Sequence, residues 1–211
     1  MSYCLAHTEF VSTIALLDDC SIVSGSGDGN IIVWNFMLGK VLFTFQCDPN
    51  FKNATDKKTN VKSNFPIKSI KINKFNGEFL AVSFYKNPII FLFQKMTDNY
   101  SLELVCKLTL DFEPAYINFD FCKKNFLWIF GGFESKAVTL FELKNSKLTE
   151  VSHSTKIIDF INDSTKFSDL LQKEGKCSTV DTLFKHYYNN VELYYQRKIL
   201  RSENRNTIIS Q

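Results

Sequence analysis

The chain predicts an all-β architecture, a succession of four-stranded antiparallel sheets followed by a helical C-terminal region. Three observations carry that reading. From Val11 to about Ser152, short segments rich in β-branched and aromatic residues alternate with turn signals and show no helical period. The four-segment pattern recurs three times at intervals of about forty residues. After Ser152 the pattern gives way to apolar residues at offsets of three and four.

The first set of strands is Val11–Leu17, Ser21–Ser26, Ile31–Phe36 and Val41–Gln46, divided by Asp18-Asp19, Gly27-Asp28-Gly29-Asn30 and Leu38-Gly39-Lys40. The second is Ile67–Asn73, Glu78–Tyr85, Ile89–Lys95 and Leu102–Leu110. The third is Ala115–Cys122, Phe126–Phe133, Ala137–Leu143 and a weak edge near Leu148–Ser152. One such unit cannot bury both faces of its own sheet, so repeated units must stack, and units of this size are the signature of propeller blades. Residues 1–152 are therefore expected to form propeller blades, with 153–211 as a helical extension. Between the first two units, Asp48–Asn64 contains the polar run KNATDKKTNVK and is expected to be a mobile loop.

Composition sets the outer bounds. Across 211 residues, 45% are hydrophobic and 15% aromatic, with 21 Phe, which is enough apolar surface to build a core and to exclude global disorder. The formal net charge of +3, with 22% charged residues, is too mild to make the whole body a nucleic-acid binder. The N-terminus lacks the basic start and apolar run of a signal peptide, and no apolar run of about 18 residues occurs, so a soluble intracellular protein is expected. The six Cys, at 4, 20, 47, 106, 122 and 177, form no CxxC pair for zinc or redox chemistry and are expected to be reduced thiols. His153 and His186 have no Cys or carboxylate at ligand spacing, so no metal is expected.

In the C-terminal region, Phe167–Glu174 reads as a short helix, capped by Asp163 or Ser164 and stopped by Gly175. Ser178-Thr-Val-Asp181 has a capping-box form. It opens a helix reaching about Arg201, whose apolar face carries Val180, Leu183, Phe184, Tyr187, Tyr188, Val191, Tyr194 and Tyr195. Lys185, Arg197, Lys198 and Arg201 lie off that face and are candidates for contacts to a phosphate backbone, against the alternative of a solvated helix back.

The strongest local signal is in the opening unit, where His7 precedes Val11, Ser24-Gly-Ser-Gly-Asp28-Gly follows, and Trp34 closes the third strand. This is similar to the WD-repeat pattern. That resemblance implies a partial WD-repeat β-propeller with C-terminal α-helices, in which His7, Ser24, Asp28 and Trp34 form a hydrogen-bonded tetrad, Ser26 being the other serine in reach. A buried imidazole needs partners on both nitrogens, and a carboxylate and a hydroxyl supply them. His7, Ser24 and Asp28 are also the residue types of a hydrolase triad, but no nucleophile elbow or oxyanion hole accompanies them. Gly25-Ser-Gly-Asp-Gly29 imitates a phosphate loop, yet it leads into a strand where such a loop needs a helix N-terminus.

The run Cys4-Leu-Ala-His7-Thr-Glu-Phe-Val11-Ser resembles the WD-repeat non-catalytic subunit of the tRNA (7-methylguanosine) methyltransferase. So does Leu183-Phe-Lys185-His-Tyr-Tyr-Asn-Asn190-Val191 with Gln196-Arg-Lys198, which is similar to that subunit's C-terminal helix. The two matches cover about fifty residues, and the middle units agree in strand pattern only. A whole propeller of this kind has about seven blades, against three here. The resemblance implies a heterodimer with a catalytic methyltransferase subunit, which binds S-adenosylmethionine itself, so that this chain carries no cofactor, no catalytic residue and no small-molecule site. It further implies tRNA as a partner, no membrane, and a location in the nucleus with the cytoplasm as a second one. The alternative from another class is a general WD-repeat interaction scaffold such as a ubiquitin-ligase substrate receptor.

Overall fold

The computed structural model describes residues 2–48, 65–73, 78–96, 100–120, 125–131, 137–144, 147–151 and Leu183. Twelve strands are found among them: β1 (Val11–Leu16), β2 (Ser21–Ser26), β3 (Asn30–Asn35), β4 (Lys40–Gln46), β5 (Ile67–Ile72), β6 (Phe79–Phe84), β7 (Asn87–Lys95), β8 (Leu102–Thr109), β9 (Pro114–Phe119), β10 (Phe126–Gly131), β11 (Val138–Lys144) and β12 (Lys147–Glu150). They form three sheets, each in strict sequence order: β1-β2-β3-β4, β5-β6-β7-β8 and β9-β10-β11-β12. All neighbours are antiparallel. Sequential antiparallel pairing is what short polar turns permit, because parallel neighbours need a crossover of a dozen or more residues.

The sheets stack face to face, and the core lies in the two seams between them. One seam gathers Val23, Ile31 and Val33 of the first sheet with Ile67, Ile70, Val82, Phe84, Phe91 and Phe93 of the second. The other joins Ala81, Ile90 and Leu92 to Ile117, Leu127, Ile129 and Phe141 of the third. The middle sheet is thus apolar on both faces, which is why Phe79-Leu-Ala-Val-Ser-Phe84 and Ile89-Ile-Phe-Leu-Phe93 read as continuous apolar runs with little alternation. Each fully buried Leu, Ile or Phe in these seams contributes about 1.5–3 kcal/mol relative to exposure.

The three sheets repeat in detail. In each, the innermost strand carries one extra residue next to its start, where the register slips: Ser12 in β1, Lys68 in β5 and Ala115 in β9. Bulges of this kind bend a strand and re-aim one side chain. At the first two sites that side chain reaches the next sheet. Ser12 Oγ donates to the Ile67 carbonyl at 2.6 Å, and Lys68 Nζ donates to the Pro114 carbonyl at 2.8 Å. Ile67 and Pro114 hold the same register position in their sheets.

Strand boundaries differ from the sequence reading by one to three residues. β9 ends at Phe119, short of the expected Cys122. β7 starts at Asn87 rather than Ile89 because a two-residue turn, Tyr85-Lys86, closes the hairpin at Phe84 and Asn87. Lys86 takes the left-handed conformation (φ 54°) that this turn requires. Pro88 is tolerated at the strand's beginning, where it lacks only a donor, and its carbonyl accepts Leu110 N at 2.7 Å. The weak edge expected near Leu148 is β12. The loop expected over Asp48–Asn64 falls outside the described residues from position 49 onward, as do the helices expected after Ser152, except for Leu183, which is helical and 50% exposed.

Candidate functional site

The first sheet brings together the four residues singled out in the sequence. His7 arrives on the segment leading into β1, Ser24 lies in β2, Asp28 in the β2–β3 turn, and Trp34 near the end of β3. Gly29 makes the turn possible with φ of 79°, a conformation that costs a side chain dearly. Trp34 Nε1 donates to Ser24 Oγ at 2.7 Å, and Ser24 Oγ meets His7 Nε2 at 2.8 Å. His7 Nδ1 lies 3.1 and 3.3 Å from the two Asp28 oxygens. A carboxylate only accepts, so Nδ1 carries the proton; in the neutral ring Nε2 then accepts from the Ser24 hydroxyl. The donors run in one direction, from indole to hydroxyl to imidazole to carboxylate. Ser26, the other candidate serine, faces a different task, accepting the Asp28 backbone N–H at 3.2 Å.

Asp28 is the anchor. Burial pushes its carboxyl up, but hydrogen bonds from His7 and from the backbone N–H groups of Thr8 and Asn30, both at 2.9 Å, outweigh this and hold it down at about 2. The side chains of His7 and Asp28 are only 5% and 6% exposed, so the pair is shielded from solvent screening. The network fastens residues 7 and 8, which precede the sheet, to the turn inside it.

Asp28, His7 and Ser24 also stand at the spacing of a catalytic triad, but the environment of the serine removes its reactivity. Ser24 is 4% exposed, and its oxygen already accepts the indole N–H. A nucleophile must present a free lone pair to an approaching carbonyl, with oxyanion donors beside it. This hydroxyl is enclosed under Trp34 and His7, whose rings meet edge-on at 6.2 Å.

The later sheets replace the network by apolar packing at the same register positions. Where the first sheet has Ser24 and Trp34, the second has Val82 and Phe93, and the third has Ile129 and Phe141. In the second sheet Phe65 stacks on Phe84 at 3.9 Å, and Phe91 meets both Phe84 and Phe93 edge-on. Three linking features went unread in the sequence. They are the two bulge side chains and Lys95 of β7, which donates to Asp18 of the β1–β2 turn at 3.0 Å. Only the Asp18-Asp19 turn gave a signal: Asp18 also accepts the N–H groups of Cys20 and Ser21, and despite its partial burial its carboxyl is held at about 2. Among the described residues no group of three or more His, Cys, Asp or Glu stands as a metal site. The basic candidates Lys185, Arg197, Lys198 and Arg201 lie outside the described residues.

Stacked four-stranded antiparallel sheets, the first tied by a His-Ser-Asp-Trp network, define a partial β-propeller of the WD-repeat class. Solved propellers have the same fold. The Myceliophteria thermophila Cps50 (Swd1) β-propeller domain superposes with a TM-score of 0.52 at 11% identity, covering 67% of this chain and 42% of its own. The RRP9 WD40 repeats give 0.52 at 15% identity, covering 72% and 41%. The chain belongs to the family described as the tRNA methyltransferase TRM82 WD40 domain, whose model matches residues 1–125. Among curated relatives, the Xenopus laevis "tRNA (guanine-N(7)-)-methyltransferase non-catalytic subunit wdr4" is 28% identical over 208 residues, 96% of this chain and 50% of the relative. The Drosophila ananassae subunit wuho is 58% identical over 45 residues, 21% of this chain and 11% of the relative. The chain spans about half the length of the frog relative.

Proposed function

We propose that the chain acts as a non-catalytic subunit of a tRNA guanine-N7 methyltransferase, holding a separate catalytic subunit in its working form. The observation that supports this most strongly is the match to the frog non-catalytic subunit along 96% of the chain, together with the family model over 1–125. The chemistry of the site agrees with it. Among the described residues, the His7, Ser24 and Asp28 cluster, which has the residue types of an enzyme, is spent on internal hydrogen bonds, so its use is rigidity. Methyl transfer and S-adenosylmethionine belong on this reading to the partner, and the working location is the nucleus. A general interaction scaffold would share the fold with the solved propellers, but a likeness at 11–15% identity speaks for fold alone.

Within the complex, Lys185, Arg197, Lys198 and Arg201 are assigned to the tRNA backbone, since phosphate contacts need cations and little sequence specificity. Affinity purification of the tagged chain should recover a methyltransferase that modifies tRNA; recovery of ubiquitin-ligase components alone would favour the scaffold. In the assembled complex, the triple change Arg197→Glu, Lys198→Glu, Arg201→Glu should weaken tRNA binding and flatten its salt dependence. Unaltered affinity and slope would return these residues to the solvated back of a helix.

A further inference from the structure

Turns between sequential antiparallel strands alternate between the two ends of a sheet, so the β1–β2, β3–β4 and β7–β8 turns share one end of the stack. That end carries large apolar residues where turns ordinarily place Gly, Asn, Asp or Ser. Met37 and Leu38 form the tip of the β3–β4 turn and are 64% and 72% exposed, with Tyr3 against the same turn at 68%. At the β7–β8 turn, Met96 and Tyr100 are 41% and 38% exposed.

These residues sit on a braced surface. Asn35 Oδ1 accepts the Leu38 N–H at 3.0 Å, and Ser2 Oγ lies 3.0 Å from both the Phe36 and Met37 carbonyls. Gly39, with φ of 66°, leaves room for the Tyr3 carbonyl, which stands 2.7 Å from where a Cβ would be. The Phe36 N–H donates to the Cys20 carbonyl at 3.2 Å and so ties the tip to the β1–β2 turn. From that turn the Asp18–Lys95 pair crosses to the second sheet, where Lys95 Nζ lies 5.2 Å from the centre of the Tyr100 ring. A contiguous apolar surface of this kind marks an interaction site, and one already held in shape binds at little ordering cost.

The charges around it select the partner. Asp18 and Asp19 in the β1–β2 turn offset Lys40 of β4 and Lys95 of β7, and Asp19 and Lys40 are both exposed. A phosphate backbone calls for an excess of cations and is repelled by adjacent carboxylates. A centre rich in Met and Tyr inside a rim of both signs is the composition of a protein–protein interface.

We infer that this end of the first two sheets, centred on Tyr3, Met37, Leu38, Met96 and Tyr100, is the seat of the catalytic methyltransferase subunit, which meets it with an apolar patch flanked by a cation toward Asp19 and a carboxylate toward Lys40. The inference rests on the non-catalytic role proposed above. Of the two partners that role supplies, it gives this end to the protein and places tRNA elsewhere.

The test measures binding of the whole 211-residue chain to the purified catalytic subunit by calorimetry. Wild type should bind, and Met37→Asp with Leu38→Asp should weaken binding by about tenfold or more while leaving the denaturation midpoint of the chain unchanged. A footprint on the unaltered tip accompanies it: the exposed Cys20 thiol should alkylate about tenfold more slowly in the complex, and Gln46→Cys, at the far end of β4, at its free rate. Equal affinity of the double variant, or Cys20 labelled at its free rate in a formed complex, would overturn the inference and leave the non-catalytic role standing. Absence of binding by wild type would overturn both. Loss of tRNA binding by the double variant in the absence of the catalytic subunit would overturn the inference by giving this end to RNA.

Discussion

At the scale of single residues, the His7–Asp28 pair ties the fold to acid. The Asp28 carboxyl is held at about 2 in the folded chain, below its ordinary value near 3.8. Between those values the unfolded state binds the additional proton, so stability rises with pH across the window and is lost as pH falls from about 4 toward 2. The contribution at neutral pH is on the order of 2 kcal/mol. Asp28→Asn should lower neutral-pH stability by about that amount and reduce the acid slope, with the share due to Asp18 remaining; urea titrations at pH 7 and pH 3 measure both. Ser24 gives a complementary expectation. Ser24→Val alone strands the His7 and Trp34 ring nitrogens and should cost about 2–3 kcal/mol. Adding Trp34→Phe, which copies the Val82 and Phe93 arrangement of the second sheet, should recover part of that loss, and a double-mutant cycle in chemical denaturation would expose the coupling.

At the scale of elements, β2 leaves no room for a side chain against the second sheet at Gly25. A Cβ there would stand 2.6 Å from Ile67 Cγ2 and 3.0 Å from Ile70 Cδ1, both on buried side chains. Gly25→Val should therefore destabilise the stack by about 1–3 kcal/mol, read as a drop in the denaturation midpoint without a change in slope. Strands were legible in the sequence because the turns carry unambiguous chemistry: Asp18-Asp19, Gly27-Asp28-Gly29 and Leu38-Gly39 each interrupt a β-rich run. The tetrad was legible through the WD-repeat resemblance that His7, Ser24-Gly-Ser-Gly-Asp28-Gly and Trp34 carry in the first unit. The bulges were not, since Ser12, Lys68 and Ala115 share no side-chain chemistry and are equivalent only through register. Nor was the Asp18–Lys95 link, whose partners lie in different repeats and meet only once the sheets stack.

At the scale of the whole molecule, rigidity is the property that these parts share. The middle sheet is buried on both faces, and each seam is crossed by a side chain bonded to the neighbouring backbone. In the first sheet a polar network supplies what aromatic packing supplies in the second. A body of this kind can hold a partner in one shape without contributing a reacting group, and its frog and fruit-fly relatives are named as non-catalytic subunits. The most direct measurement is methyl transfer to tRNA guanosine N7 by the purified catalytic subunit, with and without the 211-residue chain. The expected result is no transfer by the chain alone and at least a tenfold gain in rate or in half-life of the catalytic subunit when both are present. Transfer by the chain alone, or a catalytic subunit indifferent to its addition, would contradict the account.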